Sequence, residues 1–143
     1  MNIQRLENGE GLDLPLQQTP GSAGFDLQAA DSCVLFPGCQ SLIGTGFAWE
    51  IPAGFVGFIT PRSGLAKNHF VTVTNSPGTV DSDYRGEIKV LLHNKGAEPY
   101  RFNRGERIAQ MVIVPVATFT EIIEVDSLSD TVRGLGGFGH TGT

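Results

Sequence analysis

The chain has 143 residues, 40% of them hydrophobic, and carries a net charge of −5 with a pI near 5.0. That length suits one domain, and no apolar run reaches the roughly 20 residues that a membrane-spanning helix needs. The acidic balance argues against general binding to nucleic acid or to an anionic membrane.

Residues Met1–Glu7 have neither the charged start nor the apolar core of a signal peptide. A reducing, cytoplasmic setting is therefore expected, with Cys33 and Cys39 as free thiols. A metal site on this cysteine pair would need two further ligands, and His69, His93 and His140 stand singly rather than at ligand spacing.

In chain order, β-type runs cover Phe25–Ala29, Cys33–Phe36, Ser41–Ile51, Phe55–Thr60, Phe70–Thr74, Glu87–His93, Arg107–Val116 and Thr118–Val125. Val71-Thr72-Val73-Thr74 alternates as a half-buried strand should, whereas Val112-Ile113-Val114 and Phe58-Ile59 are apolar on both faces. Nineteen of the residues are glycine, nearly twice ordinary usage, which predicts frequent tight turns. One short helix is predicted over Ser63–His69, with Ser63 as its cap, and Pro77-Gly78 reads as a turn. Residues Ser127–Thr143 read as a flexible arm with few apolar anchors. The expected fold is an all-β single domain of distorted jelly-roll or β-barrel type over residues 1–132, with a Gly-rich C-terminal arm over 133–143.

Four segments carry the chemistry. Gly78-Thr79-Val80-Asp81-Ser82-Asp83-Tyr84-Arg85-Gly86 delivers carboxylates, an aromatic ring and an Arg between two glycines. The others are Pro61-Arg62-Ser63-Gly64-Leu65, Gly105-Glu106-Arg107-Ile108-Ala109-Gln110, and Arg133-Gly134-Leu135-Gly136-Gly137-Phe138-Gly139-His140. Seven of the ten basic residues are Arg, and Arg62, Arg85, Arg107 and Arg133 fall inside these segments. A planar fork of donors suits phosphate oxygens, so four such residues in Gly-rich motifs point to a polyphosphate ligand rather than to isolated surface ion pairs. Residue types alone leave Asp81 open as an organiser of its turn, Tyr84 as a core or turn aromatic, and Gln110 as a solvent-facing strand residue.

Taken together and in order, the four segments resemble the dUTPase family, over residues 21–143. The resemblance implies hydrolysis of dUTP to dUMP and pyrophosphate, with a water attacking the α-phosphorus and Mg²⁺ on the triphosphate. It also implies a jelly-roll homotrimer whose three active sites each draw on more than one subunit. Asp81 matches the position of the catalytic base, with Asp83 as the alternative. Tyr84 is expected against the deoxyribose, leaving no room for a 2′-hydroxyl. Asn75 is expected on the uracil edge together with the backbone at Thr79, Val80 and Asp81, and Lys89 beside the same pocket. Arg62, Ser63 and Gly64 resemble the phosphate-binding segment, with Ser63 against the α,β-bridging oxygen and Gln110 at the α-phosphate. Asp26 matches the position that reaches Mg²⁺ through a water. In the arm, Arg133 would meet the γ-phosphate and Phe138 would stack over uracil. Gly134, Gly136, Gly137 and Gly139 would let the backbone wrap the phosphates. Leu135 stands where relatives often carry a polar residue.

Two rival readings separate by their products. A dCTP deaminase, similar in fold and trimeric state, would release ammonia. A jelly-roll binding module would leave the nucleotide intact and gives no reason for Asp81, Ser63, Gln110 and Arg133 to occur together.

Overall fold

Runs rich in Val, Ile and Phe, separated by glycine and proline, fold as strands because their side chains cover a pleated surface on one or both faces. The computed structural model describes residues 1–119 and 121–137. Among them the strands are β1 (Asn2–Arg5), β2 (Gly24–Gln28), β3 (Cys33–Leu35), β4 (Gln40–Glu50), β5 (Phe55–Thr60), β6 (Val71–Val73), β7 (Gly78–Val80), β8 (Glu87–Asn94), β9 (Tyr100–Phe102) and β10 (Arg107–Pro115). A 3-10 turn at Glu7–Gly9 and one helix, α1 (Ser63–His69), complete the described elements.

The strands form a four-stranded sheet in the order β1-β4-β8-β6, a second in the order β2-β10-β5-β7, and a ribbon β3-β9. All pairings are antiparallel. The result is an all-β, distorted jelly roll. All three sheets feed one core: Ile43, Phe47, Val90 and Leu92 from the first, Leu27, Ile59 and Met111 from the second, Leu35 and Phe102 from the ribbon. Asn94 is the fully buried polar member of this layer. Its amide donates to Leu35 O and Glu98 O at 2.9 and 2.8 Å and accepts from Gly96 N–H, so its burial leaves no orphaned group.

Most expected strands appear within a residue or two of their predicted limits, and α1 matches its prediction. Its cap does not: Arg62 occupies the N-cap in extended geometry without a side-chain cap bond, and Ser63 is the first helical residue. Strands β1, β7 and β9, of three or four residues, were not anticipated. The expected strand over Thr118–Val125 is absent from its described residues, where Phe119, Ile122 and Ile123 are 84, 97 and 70% exposed. Apolar residues without a pairing partner or a face to bury have no sheet to join. Both cysteines are free, as expected. No helix of the described residues is long and apolar enough to cross a membrane.

Candidate active site

The connection from β7 to β8 crosses from one sheet to the other, and this crossing creates the first hollow. β7 pairs with β5 (Gly57↔Val80, Ile59↔Gly78), while β8 is bound between β4 and β6. The segment between them must therefore turn at the rim where the sheets part. There it lines a hollow of about 320 Å³ with Asn75, Thr79, Val80, Asp81, Tyr84 and Lys89, over apolar walls from Ile59, Val73 and Ile88. Six residues expected from the sequence thus meet in one place. Gly78 contributes by its bareness: a Cβ there would stand 3.1 Å from Asn75 Nδ2, so the amide lies directly over the glycine.

The turn that carries Asp81 is closed by several bonds. Tyr84 N–H donates to Asp81 O at 3.2 Å, and the Arg85 guanidinium donates to Ser82 O and Tyr84 O at 2.7 and 3.0 Å. The Tyr84 hydroxyl donates to Glu87 O at 3.0 Å. The Asp81 carboxylate is exposed and has no side-chain hydrogen bond or ion pair among the described residues, which leaves it open to solvent and ligand. Asp83 does not line this hollow; it faces an adjoining depression with Phe55, Phe58 and Val116.

Glu87, which sequence reasoning did not single out, anchors the pocket's far wall. β4 bulges between Gly44 and Ala48, and the Glu87 carboxylate fills the bulge. Its Oε1 accepts from Asn8 Nδ2 at 2.8 Å and from Gly46 N–H at 2.9 Å, and Oε2 lies 3.6 Å from Lys89 Nζ. A Cβ at Gly44 would stand 2.4 Å from that Oε1, so a larger residue there would displace the carboxylate from the bulge. The only sequence signal was a pair of glycines, Gly44 and Gly46, inside a strand.

The second hollow, about 410 Å³, gathers Asp26, Arg62, Ser63, Gly64, Arg107 and Gln110. Sheet register places them. β10 lies between β2 and β5, so Gln110 is opposite Asp26 on one side and Thr60 on the other, and Arg62 follows two residues after Thr60. Gln110 Nε2 donates to Pro61 O at 3.2 Å. Asp26, only 13% exposed, is shared by two guanidinium groups: Arg62 Nε lies 3.3 Å from Oδ1, and Arg107 donates to Oδ2 at 3.0 Å. The Arg62 guanidinium also donates to Arg107 O at 3.2 Å. Nearby, burial raises the Tyr100 pKa above 10.0, Glu106 raises it further, and Arg62 opposes both.

Among the described residues no group of three or more His, Cys, Asp or Glu is placed to hold a metal ion. Asp26 is the acid among the described residues lining the second hollow, and both of its oxygens already face Arg. A carboxylate keeps further lone pairs when paired in this way, so it fits an outer contact to a hydrated Mg²⁺ rather than direct ligation.

Arg133 and Gly137 line neither hollow of their own chain. Arg133 Nε donates to Gly136 O at 2.8 Å in a local turn. Phe138 and Gly139 lie outside the described residues.

The model of the dUTPase family matches residues 10–142 of the chain. The deoxyuridine 5'-triphosphate nucleotidohydrolase of Rhizobium etli is 56% identical over 99% of this chain and 93% of its own length. That of Rhizobium meliloti is also 56% identical, over the whole chain and 91% of its own length. Among solved structures, a mutant of the dUTPase of Staphylococcus bacteriophage 80alpha with dUpNHpp superposes with a TM-score of 0.88, 28% identity and 99% coverage of both chains. A mutant dUTPase from phage phi11 of S. aureus, described with a structural Mg(II) ion, gives a TM-score of 0.78 at 26% identity, over 89% of this chain and 98% of that one. On this match of sequence and fold along its whole length, the chain belongs to the dUTPase family.

Proposed function

We propose that the chain hydrolyses dUTP to dUMP and pyrophosphate, in the cytoplasm, keeping uracil out of DNA and supplying dUMP for thymidylate synthesis. The observation that carries the reading is the first hollow, where an unpaired carboxylate, an aromatic wall and a hairpin backbone converge on a space of nucleoside size. Asp81 takes the proton of the water that attacks the α-phosphorus, because it is the carboxylate of the hollow left without a partner. Tyr84 lies against the deoxyribose. Asn75 and the backbone of Thr79, Val80 and Asp81 pair with the uracil edge. Cytosine is rejected because its amino donor faces a donor, leaving buried groups unpaired. Lys89, tethered to Glu87, borders the same pocket.

The triphosphate lies against Arg62, Ser63, Gly64 and Gln110, whose positive and N–H-rich surface stabilises charge that builds on the leaving oxygen. Mg²⁺ carried on the phosphates would neutralise further charge there, with Asp26 holding one of its waters. Arg133, Gly137 and Phe138 belong to an arm, residues 133–143, that closes over a neighbouring subunit's nucleotide.

The two hollows of a single chain share no lining residue, which supports sites completed between subunits, as in the homotrimer that the family resemblance implies. Pyrophosphate release measured across dUTP, dCTP, dTTP and UTP tests the reaction: dUTP alone should be turned over rapidly, and ammonia release from dCTP would overturn the assignment. For the shared site, Asp81→Asn chains refolded one-to-one with chains lacking the arm should recover about a quarter of wild-type activity, since half the bases and half the arms are intact and independent. Background activity in confirmed mixed trimers would overturn sharing.

A further inference from the structure

Tyr84 is 45% exposed, so few contacts decide where its ring stands. Two of them are local. The hydroxyl donates to Glu87 O at 3.0 Å, and the ring lies across the bare Cα of Gly86: a Cβ built on Gly86 would stand 2.4 Å from Tyr84 Oη, 2.6 Å from Cζ and 3.1 Å from Cε2. The three nearest atoms that such a Cβ meets all belong to the Tyr84 side chain. The backbone itself makes no demand, because the φ of Gly86 lies outside the left-handed region. Glycine is needed here for the ring and not for the turn.

We propose that Gly86 is a specificity-positioning residue: its missing side chain forms the seat that, with the Glu87 carbonyl, holds the Tyr84 ring as the wall of the sugar pocket. This rests on the reading of Tyr84 as the wall that excludes a 2′-hydroxyl. A methyl group at position 86 leaves the ring one cheap escape, rotation about χ1 away from the seat, because overlap below 3 Å is strongly repulsive while a half-exposed ring has solvent to move into. The displaced ring no longer closes the ribose side of the pocket. Gly86→Ala should therefore reproduce the loss of selectivity of Tyr84→Ala with the tyrosine still present.

The measurement is the ratio of kcat/KM for UTP to that for dUTP in wild type, Gly86→Ala, Tyr84→Ala and the double variant. Tyr84→Ala and Gly86→Ala should each raise the ratio about tenfold or more, and the double variant should match Tyr84→Ala, because the two changes act through one ring. An unchanged ratio in Gly86→Ala beside a raised one in Tyr84→Ala overturns the seat and leaves the sugar wall standing. An unchanged ratio in Tyr84→Ala overturns the wall and the seat with it. Should Gly86→Ala fail to fold, the double variant decides. If removing the ring restores folding, the Cβ collides with Tyr84 as proposed; if it does not, the methyl meets something else and the proposal fails.

Discussion

The two hollows recognise by different physics. The first is shaped by backbone and apolar walls, with the Asp81 carboxylate unpaired among the described residues and ready for chemistry. The second holds charges that are already partly paired, Asp26 lying between Arg62 and Arg107 and leaving one positive charge in excess. A ligand entering the first fills a prepared shape. One entering the second competes with an internal carboxylate for guanidinium groups that are still 27 and 43% exposed. On the function proposed above, selectivity among nucleosides belongs to the first hollow, and salt-dependent affinity to the second.

The largest effect expected from breaking this division is at Asp81. Asp81→Asn keeps the shape and loses the proposed base, so turnover should fall by roughly two to four powers of ten while dUTP still binds. Calorimetry beside steady-state kinetics checks this, and a near-normal rate would pass the role to Asp83. Next in size is Arg62→Ala. Loss of a charge-assisted phosphate contact should raise the KM for dUTP about 10- to 100-fold and leave the UTP-to-dUTP ratio unchanged. A shift in that ratio would mean that the hollows do not act separately. Raising salt in the wild type should move KM in the same direction by only a few-fold.

The smallest effect concerns Tyr100 on the phosphate side. Its folded pKa is raised, chiefly by burial, so the folded chain keeps this proton to higher pH than the unfolded chain. The contribution is full below about pH 10 and is lost as pH rises through the folded value. Thermal melts of Tyr100→Phe should decline less steeply above pH 10 than those of the wild type, and parallel declines would contradict the shift.

Much of this molecule could be read from the chain because its chemistry sits in short contiguous motifs. Asn75 through Lys89 reach one hollow through β7, the turns on either side of it and the start of β8, so proximity in sequence became proximity in space. Glycine and proline punctuation marked the strands, and their apolar runs marked the core. Tertiary structure alone decided what depends on pairing. Strands β1, β7 and β9 are too short to announce themselves: β1 and β7 exist because the longer β4 and β5 offer them hydrogen bonds, and β9 because it pairs with the equally short β3. Among the described residues, the apolar ones from 118 to 125 found no such neighbour. The register of β10 between β2 and β5 brought Asp26 to Arg62 and Arg107 from far along the sequence. Likewise, only folding set Tyr84 on Gly86 and Glu87 into the bulge of β4, since close approach of atoms is a property of the folded backbone and leaves just a glycine in the sequence as its mark.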